Sequence, residues 1–352
     1  MKAAQINEYG HADAVKVQEV DRPTIGEGQV LIEVQAASLN PFDTMVREGY
    51  LQEAIPLELP VTLGGDIAGV VSQVGDGVTN VSKGDVVYGQ ANVVAGNSGA
   101  FAEFAATKAE QVAKAPADID ITEAASLPLV GVSALQALTD HLKLQADQKI
   151  FIHGGAGGIG SIAIQIAKNI GAHVATTATG EGIAYVTELG ADEVIDYKAQ
   201  DFSEQLKSFD KVFDTVGGDD FNKALAILKP GGVAVSMIAD ADEELRVVEG
   251  CPVVEGANVA PVLRQSVPAR ADQPVLGAVD GMEAPFPRLV EETDQFRQDR
   301  VSSTHLADTE TEQVEQSAGM RRPGAPEGRS VGDDLGDDLF SIAILFELAH
   351  HL

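Results

Sequence analysis

The stretch Lys149-Ile-Phe-Ile-His-Gly-Gly-Ala-Gly-Gly-Ile-Gly160 constrains this chain more than any other. A β-branched apolar run feeds a glycine-dense turn, and Gly155, Gly157 and Gly160 stand in the G-x-G-x-x-G spacing. In that spacing the first glycine permits a tight turn, the second lets a pyrophosphate approach the backbone, and the third lets helix and strand pack closely. Glycines also serve any sharp reversal, so the flanking elements decide between the two readings. Beyond the turn, Ile159, Ile162, Ala163, Ile166, Ala167 and Ile170 fall on one face of a helix and Ser161, Gln165 and Lys168 on the other. Strand, turn and helix follow in the order that aims a helix N-terminus at phosphate. Gly155, Ala156, Gly157, Gly158, Ile159 and Gly160 are therefore candidate cofactor-binding residues.

The chain that follows alternates short apolar runs with helical patterns. His173–Thr177, Glu193–Asp196, Lys211–Asp214 and Val233–Met237 read as strands, and Thr187–Leu189, Ser203–Leu206 and Phe221–Leu228 lie in the helical segments between them. Repeated βα units of this length predict a doubly wound parallel sheet with its ligand at the carboxyl ends of the strands.

Composition narrows the classes of partner. With 24 basic against 54 acidic residues the formal charge is −30, which argues against nucleic acid or an anionic membrane surface, since both are bound by clustered Lys and Arg. The single cysteine, Cys251, allows no intrachain disulfide and suits a reducing compartment. Met1–Gly10 has no apolar signal core, and no apolar run approaches the ~20 residues that span a bilayer, so a soluble cytoplasmic protein is expected. The sequon Asn80-Val-Ser82 is then a chance match.

Residues 1–118 read differently. Short β-rich runs at Val30–Val34, Gly69–Val74, Asp85–Tyr88 and Ala102–Ala105 are divided by Gly, Pro and Asp, the pattern of a small β-domain. Four segments carry a resemblance: Ser38-Leu-Asn-Pro-Phe-Asp43, Gly64-Gly-Asp-Ile-Ala-Gly69, Gly99-Ala-Phe-Ala-Glu-Phe104 and the Asp147–Lys168 block, joined by Val212-Phe-Asp-Thr-Val-Gly-Gly218 and Leu228-Lys-Pro-Gly-Gly232. Together they resemble the zinc-independent quinone oxidoreductase branch of the medium-chain dehydrogenase/reductase family, over Met1 to about Leu245. The resemblance implies an α/β protein with a GroES-like substrate domain (1–118) and a Rossmann dinucleotide-binding domain (119–245), substrate and nicotinamide meeting in the cleft between them. It also implies a homodimer.

Zinc-dependent relatives offer a cysteine in the first domain and a Gly-His-Glu segment. Here the matching places hold Asn40–Asp43 and Gly64-Gly65-Asp66, with no cysteine before Cys251 and no paired histidines, so the soft and imidazole ligands of a catalytic zinc are missing and no metal is expected. By resemblance Asn40 and Asp43 are the leading polar contacts beside nicotinamide and substrate, with Tyr50 a pocket aromatic. The turn is one residue shorter than the family's, and Asn, Pro and Asp are all turn formers, so a satisfied turn is the competing account. Asp66 is read equally as a holder of backbone amides. Leu127-Pro128 and Val216–Gly218 are where the family approaches the nicotinamide, making Pro128, Val216 and Gly217 candidates together with Ser236 at the end of a strand.

An NAD-selective fold places an acid about 20 residues past the glycines to accept from the ribose 2′-hydroxyl. That window here is Ala175-Thr-Thr-Ala-Thr-Gly180. Without the carboxylate a 2′-phosphate is not repelled, and Thr177 and Thr179 can donate to it, so NADPH is the expected cofactor. By resemblance Tyr197 also reaches that phosphate. Lys198 adds charge there or is simply an exposed loop lysine, and His153 is read as a strand-end residue rather than a proton donor.

The last third breaks the pattern. Through Leu245 the chain has 13 Lys and 2 Arg, and from Arg246 onward 0 Lys and 9 Arg. The tail carries Pro, Gly and Arg clusters such as Met320-Arg-Arg-Pro-Gly-Ala-Pro-Glu-Gly-Arg329 and scant periodicity. Residues 246–352 read as out-of-frame or foreign sequence, with a divergent genuine domain as the alternative; the run Phe340–Leu348 is too short to span a bilayer and reads as a marginal helix. If the family's closing strands are absent, exposed edges and an inactive product follow.

The function these observations support is NADPH-dependent hydride transfer, without metal, to a small-molecule quinone or α,β-unsaturated carbonyl. The rivals are a reductase of alkenals or enoyl thioesters and a non-catalytic NADPH-binding sensor or structural protein.

Overall fold

Three sheets organise the chain in a computed structural model that describes residues 1–238 and the two-residue strand Val253–Val254. The first stretch contributes strands β1 (Lys2–Ile6), β2 (Val15–Glu19), β3 (Gln29–Ser38), β4 (Val61–Thr62), β5 (Asp66–Val74), β6 (Val86–Gln90), β7 (Phe104–Lys108) and β8 (Val112–Lys114) and one α-helix, α1 (Pro41–Glu48). All pairings among them are antiparallel, giving a three-stranded sheet β2-β1-β4 and a five-stranded sheet β7-β3-β5-β6-β8. Val30, Ile32, Ile67, Val71, Val87 and Val112 close the core of the larger sheet, while Phe42 and Val46 of α1 pack on Ile6, Val61 and Leu63. The β-run expected at Ala102–Ala105 lies two residues further on, because the chain before Phe104 is tied across to the small sheet: Ala4 N–H donates to the Phe101 carbonyl at 2.8 Å, and Phe101 N–H to that of Leu63 at 2.9 Å.

The second stretch opens with helices α2 (Ile121–Ser126) and α3 (Pro128–Gln136). It continues as β9 (Lys149–His153), α4 (Gly158–Ile170), β10 (His173–Ala178), α5 (Glu181–Glu188), β11 (Glu193–Asp196), α6 (Phe202–Gln205), β12 (Phe209–Asp214), α7 (Asp219–Ala226), β13 (Leu228–Ser236) and β14 (Val253–Val254). The strands form one parallel sheet in the order β11-β10-β9-β12-β13-β14. Alternate residues of β9 face opposite ways, as period-2 geometry requires. Ile150 and Ile152 pack with α3 and α4, whereas Phe151 packs with Phe202, Phe221 and Ala224 of α6 and α7. Helices therefore cover both faces, the doubly wound arrangement. β13 begins at Leu228, earlier than expected from the apolar run at Val233, since Phe209 and Leu228 already pair before a register shift; Leu228 accordingly belongs to the strand and not to the preceding helix.

One helix face differs from expectation. Ser161, expected on the polar side of α4, is buried, and Ile164, absent from the expected stripe, is wholly buried. The cause is α3, whose Ala134, together with Ala137 and Leu138 just beyond its end, joins Ala163 and Ile164 in one cluster, so α4 is covered by the sheet and by a second helix. Ser161 accommodates burial by donating its hydroxyl to the Gly158 carbonyl at 3.0 Å. The composition switch at Arg246 and the run Phe340–Leu348 lie outside the described residues.

Candidate functional site

The parallel sheet reverses its winding between β9 and β12, with β10 and β11 on one side and β13 on the other, and ligands of such sheets bind in the crevice beyond the strand ends at that reversal. Two segments meet there: the glycine turn after β9 and the loop Thr215–Gly218 after β12.

Each glycine of the turn has its own reason. Gly154 takes a left-handed φ of 84°, and a Cβ on it would come within 2.7 Å of Thr215 Oγ1. A Cβ on Gly155 would lie 2.1 Å from Thr176 Oγ1, and one on Gly160 would lie 2.2 Å from the Gly154 carbonyl oxygen. The turn's conformational freedom thus belongs to Gly154, one residue before the position expected for it, while Gly155 is required by contact with β10. Gly157 differs from all of these. A Cβ there would meet only Gly154 O, at 3.4 Å, so the fold itself leaves that space open for something to approach the backbone. Gly157 is the N-cap of α4, no acidic residue stands in the helix's first turn, and the first N–H groups of a helix lack internal acceptors. This open, amide-lined position fits a pyrophosphate.

The threonines divide. Thr177 is buried and its Oγ1 accepts from Gly154 N–H at 3.0 Å, while its carbonyl accepts from Gly155 N–H at 3.1 Å. Its hydroxyl oxygen therefore serves the glycine turn, because parallel pairing brings β10 alongside the end of β9. Thr179 is half-buried just before Gly180, the residue that opens α5, and Tyr197 follows β11 with its ring exposed. Val216 is 47% exposed, Gly217 is buried, and Ser236 gives its hydroxyl to Asp214 Oδ2 at 2.6 Å.

A second group forms around Asp66, which is fully buried. Its Oδ2 accepts from Ser38 Oγ at 3.0 Å, Asn40 Nδ2 at 3.0 Å and Leu129 N–H at 3.2 Å, and its Oδ1 from Gln90 Nε2 at 3.4 Å. The carboxylate thereby joins the antiparallel sheet to the start of α3, where Pro128 is also buried. Asn40 is the N-cap of α1, and its backbone N–H donates to Asp43 Oδ2 at 2.8 Å. Burial pushes Asp43 up to about 7, helped by the neighbouring Asp66 charge and opposed by the amides of Asn40, Gly65 and Gly64. Burial likewise pushes Asp66 up to about 6 against the hydrogen bonds it accepts. Tyr50 stands apart from this group, 63% exposed just beyond the end of α1.

Asn40, Asp43 and Pro128 are thus brought together by Asp66, and the glycine turn, Thr177, Val216, Gly217 and Ser236 by the sheet reversal. Sequence reasoning missed Gly154 and Asp214. Both carried a signal, a glycine ahead of the motif and an acid ending an apolar strand. Where zinc would bind, the chain presents an amide and a glycine beside a carboxylate already holding four donors, a poor fit to that ion.

Comparison with known proteins agrees with this geometry. The alcohol dehydrogenase GroES-like domain matches residues 26–117, and the domain described as zinc-binding dehydrogenase matches residues 158–260, past the point near Leu245 where the motifs run out. The chain is 38% identical to an NADPH-dependent alkenal/one oxidoreductase of Arabidopsis thaliana over 67% of its own length and 62% of the relative's. It is 34% identical to 2-methylene-furan-3-one reductase of Solanum lycopersicum, covering 78% of this chain and 74% of that one. Among solved structures, the quinone oxidoreductase of Coxiella burnetii superposes with a TM-score of 0.66 at 31% identity, covering 76% of this chain and 86% of that one. The chain therefore spans less than two thirds of the Arabidopsis relative.

Proposed function

Because the chain belongs to the quinone oxidoreductase branch of the medium-chain dehydrogenase/reductases, we propose that it binds NADPH across the sheet reversal and catalyses hydride transfer to a quinone or an α,β-unsaturated carbonyl. The observation that carries this reading is the open position at Gly157 within a turn where Gly154, Gly155 and Gly160 are demanded by packing. The bound cofactor supplies the hydride. The amides at the start of α4 hold its pyrophosphate, and the absence of an acid in the Ala175–Gly180 window leaves room for the 2′-phosphate, with Thr179 and Tyr197 at its edge. Val216, exposed on the loop, and Pro128, beside Asp66, frame the nicotinamide half. Asn40 and Asp43 order the opposite wall, with Asn40 fixed through Asp66. Positioning in this cleft, rather than a metal, lowers the barrier.

The Arabidopsis and tomato relatives carry enone-reductase names and the Coxiella structure a quinone oxidoreductase name, so both arms of the proposal have support. Residues 1–118 and 119–245 act as substrate and cofactor domains in this reading, and a homodimer in a reducing, cytoplasmic setting completes it, although the Arabidopsis relative is named chloroplastic. Among the described residues no helix is long and apolar enough to cross a membrane.

Following NADPH oxidation with a panel of quinones and enones tests the proposal. Turnover with NADPH should exceed that with NADH, and Asn40→Ala should lower kcat/KM by about tenfold through loss of a buried charge-assisted hydrogen bond. Tight NADPH binding with no turnover on any acceptor would sink the enzyme reading and favour a sensor; faster turnover with NADH would overturn the cofactor choice.

A further inference from the structure

Asp214 ends β12 at the carboxyl edge of the parallel sheet and is wholly shielded from solvent. Its Oδ1 accepts from His153 Nδ1 at 2.9 Å and from the backbone N–H groups of Val216 and Gly217, each at 3.2 Å. Its Oδ2 accepts from Gly217 N–H at 3.1 Å and Ser236 Oγ at 2.6 Å. Burial opposes its ionisation, yet the His153 and Ser236 contacts hold the carboxyl below the ordinary aspartate range. An ionised carboxylate only accepts hydrogen bonds, so His153 Nδ1 carries the hydrogen.

A buried anion persists only when paired and hydrogen-bonded, and the groups that satisfy this one come from β9, β13 and the loop itself. That loop is unusual. Gly217 and Gly218 take successive positive φ values of 76° and 66°, a conformation glycine reaches without a Cβ penalty. Thr215 Oγ1 further ties it to the His153 carbonyl at 2.7 Å. The result is an exposed apolar side chain, Val216, on a backbone fastened from both neighbouring strands, with its Cγ2 2.9 Å from where a Cβ on Gly154 would stand.

The loop's place in the sheet says which part of a ligand it meets. The pyrophosphate cradle follows β9, and the ribose-facing window follows β10 on one side. A dinucleotide laid across the crevice has its other end on the opposite side, over the loop that follows β12.

We propose that Asp214 is a positioning residue for the nicotinamide end of the cofactor: held by His153 and Ser236, its carboxylate presets the Thr215–Gly218 loop against which that ring lies. This rests on the NADPH reading above. Calorimetric titration of the full chain with NADPH and with 2′,5′-ADP, which has the adenosine and 2′-phosphate but no nicotinamide, separates the two ideas. Asp214→Asn should weaken NADPH about tenfold and leave 2′,5′-ADP within about twofold, on the scale of a lost charge-assisted hydrogen-bond set. Should that variant fail to fold by circular dichroism, His153→Asn, which exchanges the imidazole donor for an amide, should weaken NADPH by about threefold with 2′,5′-ADP unchanged. Equal weakening of both ligands, or no change in either, in a folded variant overturns the positioning role while the cofactor reading stands. Unaltered protein that binds neither ligand removes the cofactor reading and the positioning role with it.

Discussion

Gly157 and Gly160 are the same residue type three positions apart, and the fold asks opposite things of them. A Cβ on Gly160 would strike the backbone of Gly154 at 2.2 Å, a contact no rotamer relieves, whereas Gly157, at a φ of −77°, would accept a methyl with its nearest neighbour 3.4 Å away. Gly160→Ala should therefore destabilise the protein by roughly 2–3 kcal/mol through overpacking, seen as a lower thermal midpoint. Gly157→Ala should stay within about 1 kcal/mol of the unsubstituted protein, as expected of a glycine N-cap exchange, yet lose NADPH affinity because the added methyl enters the space left for the pyrophosphate. A Gly157→Ala protein that binds NADPH undiminished would show that the open position is not the cradle.

At the scale of elements, α4 shows how an amphipathic reading succeeds in part. Ile159, Ile162, Ile166 and Ile170 do pack against the core, but each is only partly buried, while Ile164 is wholly buried between the sheet and α3. A helical pattern read alone has one apolar face; the second exists because α3 arrives from elsewhere in the chain. Ile164→Ala should consequently cost roughly 3–4 kcal/mol, in the range of cavity-forming core substitutions, and Ile170→Ala markedly less. Comparable losses in denaturant melts would refute that ranking. The strands were more legible than the helix faces, since a fully buried parallel strand is a continuous apolar run with clear ends. Glu193–Asp196 coincides with its expectation, and the displaced starts at Leu228 and Phe104 are both set by pairing partners distant in sequence.

For the molecule as a whole, the Asp43 and Asp66 pair beside α3 makes stability depend on pH in a defined direction. Burial raises both carboxyls above the ordinary 3.8, to about 7 and about 6. The folded chain then holds these protons more tightly than the unfolded chain, so ionisation opposes folding; the effect is absent below pH 3.8 and grows as pH rises toward 7. Asp214, held below its ordinary value, acts the other way, its contribution present at neutral pH and lost only in acid. Because the acidic excess also strains the compact state as carboxylates ionise, the informative readout is a difference: Asp43→Asn should gain on the unsubstituted protein by about 2–3 kcal/mol more at pH 8 than at pH 5. Parallel pH profiles for the two proteins would show that Asp43 does not titrate between fold and coil.

The sequence by itself determined the alternation of strands and helices from β9 to β13, the glycine turn and the lack of an acid beyond it, because apolar period and glycine spacing are local properties that short segments express alone; β1, β2, β4, β8 and the helices before β9 were not legible in it. Only the tertiary structure decided that Gly154 rather than Gly155 makes the turn, that Thr177 faces that turn, that Asn40 is spent on Asp66, and that Asp214 gathers His153, Ser236 and two loop amides. Each of those outcomes depends on which distant strand end lies alongside, and a one-residue change in register would alter every partner. Tyr50, a pocket aromatic only by resemblance, is left largely in solvent, since exposure is settled by what the rest of the chain does or does not place over a side chain.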